Sequence, residues 1–234
     1  MRSTRNVKRV TESHSRKGRV SHVTRYALRV PQSVPAIAVF CSGQGTNLQA
    51  ILHAIRRGRL RARVALVISD RPEAKALTRA RRAGVEARHL NPHDYPTRAD
   101  YERALIALCE THDVNAVCLA GFMRLLSPMF VGHFRHRILN IHPALLPAFP
   151  GAHAVRDALA WGAKVTGVTV HLVDENMDHG PIILQEAVSI RSTDNEASLS
   201  ARLHRVEHQA YPRAIRLLLA GRLRLHGRRV RMVA

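Results

Sequence analysis

An open, mostly parallel twisted α/β sheet with helices on both faces is the fold class this sequence predicts, and three observations predict it. Short continuous apolar runs, Ala36 to Cys41, Val64 to Ile68, Ala116 to Ala120 and Ile138 to Ile141, have the length and composition of buried strands. Between them lie segments whose apolar residues recur at helical spacing, giving a strand–helix alternation. Glycines and prolines stand where that alternation needs starts and stops.

The elements follow in order. Ala36 to Cys41 ends in Ser42-Gly43-Gln44-Gly45-Thr46-Asn47, after which Leu48, Ile51, Leu52 and Ile55 mark a helix that Gly58 can end. Val64 to Ile68 is the second strand. Pro72 suits an early helix position and Gly84 closes that helix. Thr97 to about His112 is a further helix with Tyr101, Leu105, Ile106 and Leu108 on its apolar side. Ala116 to Ala120, Pro128 to Arg135 and Ile138 to Ile141 read as strand, short helix and strand. Beyond residue 150, His153 to Trp161 looks helical, Lys164 to Val173 alternates as a strand, and Ile182 to Ile190 suits its hairpin partner. Ser198 to Leu219 is a long amphipathic helix that Pro212 can break. The expected organisation is a basic extension over 1–35, one domain over 36–225 and a tail over 226–234.

Apolar content of 46% suits a globular domain. No apolar run approaches the roughly 18 residues of a membrane span, so no membrane partner is expected. The three cysteines, Cys41, Cys109 and Cys118, have no C-x-x-C spacing, so neither a zinc site nor a disulfide framework is expected, and reduced thiols fit a cytoplasmic protein. The formal net charge is +20, and residues 1–35 hold nine basic residues against one acid, a bias also seen in organellar transit peptides. The charge suits attraction of anionic ligands. With aromatics at 4% there is no sign of an RNA-stacking sheet, so nucleic acid is not the expected partner.

Chemistry gathers at expected strand ends, where open α/β sheets bind ligands. Asn140 and His142 are two apart on one strand and so share a face. An amide can donate to a developing oxyanion, and an imidazole can carry a proton. Three prolines and a glycine in the segment from Pro143 to Gly151 fix an irregular loop just beyond. Taken alone, a strand histidine is more often structural than catalytic. Asp178, in Asp174-Glu175-Asn176-Met177-Asp178-His179-Gly180, reads equally as a solvated turn residue or as a carboxylate folded back toward His142, which would orient the ring and favour its charged form. The glycine turn at 43–47 can aim backbone N–H groups at an anion from a helix N-terminus, or be a plain tight turn. A dinucleotide fingerprint is disfavoured because Leu48 stands where its third glycine would be, leaving a monophosphate as the better fit.

Ser42-Gly-Gln-Gly-Thr-Asn-Leu48, Leu119-Ala-Gly-Phe-Met-Arg-Leu-Leu-Ser127, Leu139-Asn-Ile-His-Pro-Ala-Leu-Leu-Pro147 and Asp178-His-Gly-Pro181 together resemble the folate-dependent formyltransferases, specifically the phosphoribosylglycinamide formyltransferase branch, over roughly residues 36–225. The Asn-x-His plus Asp set is common to the whole fold group, whereas the opening glycine motif is specific to the branch. His179 departs from the pattern, which has a second glycine there.

The resemblance implies a Rossmann-like fold and transfer of formyl from 10-formyltetrahydrofolate to the amine of 5-phosphoribosylglycinamide in purine synthesis. It implies catalysis by Asn140, His142 and Asp178. Gly45, Thr46 and Asn47 would hold the substrate phosphate, Glu207 would contact its ribose, and His204 would lie nearby. Arg98, Met123, Arg124, Leu125, Leu126, Asn140, Asp174, Glu175, Asn176, Met177 and Asp178 would line the folate site. No metal is implied, because the formyl donor is already activated. A monomer or weak homodimer is expected. The rivals are a methionyl-tRNA formyltransferase, for which a further C-terminal domain would be expected, a formyltetrahydrofolate hydrolase, and a non-catalytic NAD-binding module.

Overall fold

In the computed structural model, which describes residues 34–233, the chain runs β1 (Ala36–Phe40), α1 (Thr46–Arg56), β2 (Arg63–Ser69), α2 (Lys75–Arg82), β3 (Glu86–His89), a 3-10 turn at Pro92–Asp94, α3 (Arg98–Thr111), β4 (Ala116–Leu119), α4 (Pro128–His133), β5 (Ile138–His142), α5 (Ala154–Ala160), β6 (Val165–Leu172), β7 (Ile182–Ser189), α6 (Glu196–Leu219), β8 (Leu223–His226) and β9 (Arg229–Met232). The basic segment expected at 1–35 lies almost wholly outside the described residues.

The strands among the described residues join one nine-stranded sheet in the order β3-β2-β1-β4-β5-β6-β7-β9-β8. The pairs from β3 to β5 are parallel. β6 then returns antiparallel to β5, in a register that sets Asn140 opposite His171 and His142 opposite Thr169. Successive residues of β1 feed two cores. Ile37, Val39 and Cys41 pack with Leu48 and Ile51 of α1 and with Leu203, Tyr211 and Ile215 of α6. Ala38 and Phe40 pack with Tyr101 and Leu105 of α3 and with Phe130 of α4. A strand buried on both faces has no reason to alternate, which is why these runs are continuously apolar.

Three expectations need correction. β3 was not expected: its sequence, Glu-Ala-Arg-His, is largely exposed at the sheet edge and carries no apolar run. Within the tail expected over 226–234, residues 226–232 are part of the fold, because β8 and β9 form a hairpin that joins the sheet through the Ile182–Arg229 pairing. Pro212 does not break α6. The helix runs on through it, losing only the bond a proline N–H cannot make. Flanking contacts hold it: the buried Tyr211 O–H lies 2.8 Å from the Leu119 carbonyl and 3.1 Å from that of Leu139, tying α6 to the ends of β4 and β5. α6 starts at a reciprocal cap, with the Asn195 side chain accepting from Ser198 N–H (2.9 Å) and the Ser198 hydroxyl accepting from Asn195 N–H (3.0 Å).

Candidate active site

β1 and β4 are neighbours in the sheet but lead to helices on opposite faces, so a crevice opens beyond their carboxyl ends. A cavity of about 540 Å³ lies there, within the range of small-molecule sites. Its walls are the glycine turn after β1, the segment 119–126 after β4, the end of β5, the loop 173–178 after β6, and His204 and Glu207 of α6.

The glycine turn is shaped by Gly45, the N-cap of α1, at φ 69°. A Cβ on Gly45 would come within 2.7 Å of the Ala76 Cα on α2, so glycine is required both for the backbone angle and for the close approach. The first bond of α1 is Gln49 N–H to the Gly45 carbonyl, leaving the N–H groups of Thr46, Asn47 and Leu48 ahead of it as helix-start donors without a backbone acceptor among the described residues. Arg79 holds the turn from outside by donating to the Gln44 carbonyl at 2.8 Å. The Asn47 side chain turns the other way. Its amide donates to Glu207 Oε2 at 2.8 Å, and its buried Oδ1 has no hydrogen-bond partner among the described residues. Burial pushes the Glu207 carboxyl above the ordinary carboxylate range, an effect that the Asn47 bond and the charges of His204 and His142 only partly offset.

At the end of β5, Asn140, His142 and Asp178 converge. His142 is 4% exposed. Its Nε2 lies 2.8 Å from the Phe149 carbonyl, which can only accept, so Nε2 carries a proton. Its Nδ1 lies 3.3 Å from Asp178 Oδ2. Asp178 also accepts from Asn140 Nδ2 (3.2 Å) and from Gly151 N–H (2.8 Å). Burial is the largest single influence on the Asp178 carboxyl and opposes its ionisation. The neighbouring His171 and Gly151 N–H, with the charge of His142, together outweigh it and hold the carboxyl below its ordinary value. The two residues whose oxygens flank the imidazole both have left-handed backbones, Phe149 at φ 52° and Asp178 at φ 51°. Such angles in non-glycine residues are concentrated at functional sites. The loop bearing Asp178 is anchored at Gly180, where a Cβ would overlap the Leu172 carbonyl oxygen at 1.8 Å.

The site residues expected from sequence line this one cavity, with one exception. Gly45, Thr46, Asn47, Met123 to Leu126, Asn140, His142, Asp174 to Asp178, His204 and Glu207 are all at its wall. Arg98 stands outside the wall. Its guanidinium donates to the Leu125 carbonyl (2.6 Å) and to Glu102 (3.0 Å), supporting the 123–126 segment from behind. Sequence reading missed His171 and Glu102. His171 is 2% exposed, donates from Nδ1 to the Leu172 carbonyl, and presents Nε2 to Asn140 Nδ2 at 3.1 Å. Its signal was available: on an antiparallel partner strand it could sit opposite Asn140. Glu102, 1% exposed, accepts from Arg98 and from both the N–H and hydroxyl of Ser127. Only the i,i+4 spacing of Arg98 and Glu102 hinted at it.

The profile of the family described as formyl transferase matches residues 36–215, well over half of the chain. The chain belongs to the formyl transferase family. Within that family it is similar to phosphoribosylglycinamide formyltransferase of Escherichia coli (strain K12), at 42% identity over 190 residues, covering 81% of this chain and 90% of that one. It is 46% identical over 190 residues to the trifunctional purine biosynthetic protein adenosine-3 of Drosophila pseudoobscura pseudoobscura, of which it spans only 14%. Among solved structures it resembles glycinamide ribonucleotide transformylase 1 from Symbiobacterium toebii, with a TM-score of 0.85 and 48% identity, covering 94% of this chain and all of that one. The mostly parallel sheet flanked by helices is thus the formyltransferase fold expected from the sequence.

Proposed function

We propose that this formyl transferase moves a formyl group from 10-formyltetrahydrofolate to the primary amine of 5-phosphoribosylglycinamide, in the cytoplasmic synthesis of purines. The observation that carries this reading is that Asn140, His142 and Asp178 meet in the same cavity as the N-terminal N–H groups of α1.

The acceptor's phosphate sits on the Thr46, Asn47 and Leu48 N–H groups, where backbone dipoles favour an anion. Its ribose hydroxyls lie against Glu207 and Asn47 Oδ1, a buried acceptor that a hydroxyl satisfies. The role of Asn47 is therefore divided: its backbone faces the phosphate, while its side chain faces Glu207 and the sugar. The folate lies along 123–126 and the 174–178 loop.

When the amine attacks the formyl carbon, negative charge develops on the formyl oxygen. Both N–H bonds of Asn140 are engaged beforehand, one to ionised Asp178 and one to Nε2 of His171. A forming oxyanion is a stronger acceptor than that ring nitrogen, so Asn140 gives up the His171 bond and keeps its hold on Asp178. Nδ1 of His142, beside Asp178, is the nitrogen that exchanges a proton with the reacting groups, because Nε2 is occupied by Phe149. The amine loses one proton and the departing folate nitrogen gains one, so the site ends as it began.

Donor turnover measured with and without 5-phosphoribosylglycinamide tests the reading. Turnover that requires the amine is expected. Equal turnover with water alone would make the protein a hydrolase, and a wild-type protein that binds folate without turning it over would be a binding module.

A further inference from the structure

We infer that Arg228, at the tip of the β8–β9 hairpin, is a positioning residue for the loop 174–179 that forms the formyl-donor side of the cavity. The inference rests on the reading of that loop as the folate wall. The hairpin turns through Gly227 and Arg228, with Gly227 at φ 57°. Pairing of Arg229 with Ile182 fixes the tip beside the end of the loop. From there the Arg228 guanidinium donates to the His179 backbone carbonyl through one terminal nitrogen, and the other lies 3.0 Å from His179 Nε2 and 3.1 Å from Nδ1. His179 Nδ1 lies 2.8 Å from Asp174 Oδ2. Asp174 in turn closes the loop by accepting from Asn176 N–H at 3.0 Å.

Asp174 accepts from Nδ1–H, while the guanidinium lies against both ring nitrogens and bonds directly to the backbone carbonyl. The result is a clasp: hairpin tip to His179, His179 to Asp174, and Asp174 to the loop backbone. Gly180 packs close against the Leu172 carbonyl and Asp178 is tied to Asn140 and Gly151, so the clasp adds a further tie on the hairpin side of the loop. Asp178 lies between Asp174 and Gly180 with a left-handed backbone, a conformation that persists only where its surroundings enforce it. His179 is the residue by which this chain departs from a Gly-Gly pattern, and Arg228 is its partner from a separate part of the sheet.

The test uses Arg228→Ala, His179→Ala, the double variant and Arg228→Lys in the full chain, with two readouts. Hydrogen exchange in the free protein is expected to quicken roughly fivefold at amides 174–179 in Arg228→Ala and to stay unchanged at 45–49, a magnitude fitting loss of one or two exposed charge-assisted bonds. In steady-state kinetics the KM for the formyl donor is expected to rise roughly fivefold, with kcat and the acceptor KM within about twofold. The double variant is expected to fall short of the sum of the single ones, because they share the guanidinium–imidazole contact while each also breaks a bond that the other keeps. Arg228→Lys is expected to recover part of the effect, because an ammonium reaches the carbonyl without bridging to the ring. Unchanged loop exchange, effects that add in the double variant, or donor and acceptor KM rising together would overturn the inference. A wild-type protein that transfers no formyl would instead overturn the assigned reaction, and the exchange measurement would still decide the clasp.

Discussion

Replacing Asp178 by Asn changes one atom and removes one charge, and the structure sets how much should follow. Asparagine tolerates the left-handed backbone at 178, so the loop keeps its path. With its oxygen on Gly151 N–H, the new amide would point its NH₂ at Asn140 Nδ2, two donors at the present 3.2 Å. Asn140 must then turn or withdraw, and the oxyanion donor moves with it. A misplaced donor of this kind costs about 10²–10³ in turnover. The carboxylate beside His142 Nδ1 is lost as well, and general acid–base catalysis is itself worth about 10²–10⁴. The two losses act on one unit and do not multiply, so a fall in kcat of about 10³ is expected. Stability should change far less: one or two lost bonds at about 1 kcal/mol each lower Tm by roughly 2–8 °C in a chain of this size. Single-turnover formyl transfer, paired with a thermal melt by circular dichroism, measures both. A folded variant with kcat within about threefold of wild type would refute the reasoning.

Three further outcomes are expected. Gly45→Ala should raise the acceptor KM and lower Tm, because it strains a φ of 69° and drives a methyl into Ala76, whereas Gly43→Ala, with open space at its Cβ, should leave both near wild type; a thermal melt and the acceptor KM of each variant check this, and equal effects would argue against the shape assigned to the turn. Glu207→Gln should raise Tm near neutral pH and lose that advantage toward pH 4. A carboxyl whose folded pKa is raised withholds stability as pH climbs from the unfolded value of about 4.3 through the folded one, and the amide has no such penalty; melts of both proteins across that window check the sign. Tyr211→Phe should cost about 1–3 kcal/mol in urea unfolding, because it strips a buried donor from the Leu119 and Leu139 carbonyls; a cost under about 0.5 kcal/mol would mean that these contacts do not hold α6 to the sheet.

How far the sequence could be read depended on whether a feature was local. The central strands were legible because burial on both faces writes a continuous apolar run, and Asn140 and His142 were legible because two-residue spacing on a strand fixes a shared face. The glycine turn was legible for the same local reason. Asp178 was not: it lies 36 residues after His142, and only the Asn140–His171 register with the return of β6 brings it back. Strands toward the two ends of the sheet escaped because their side chains are largely exposed, as Glu86 to His89 and Arg229 to Met232 illustrate. Arg98 was placed at the cavity by resemblance, but its guanidinium goes to Leu125 and Glu102, a choice made by a buried carboxylate from within its own helix. Asn47 was expected at the phosphate with no sign of a side-chain partner; that partner, Glu207, is 160 residues distant.

A single turnover with donor labelled by ¹³C at the formyl carbon, followed by NMR, would decide the reaction most directly. The label should arrive in the new amide of 5-phosphoribosylglycinamide, at one equivalent per folate released. Label recovered as formate, at the same rate whether or not the amine is present, would contradict formyl transfer at this site.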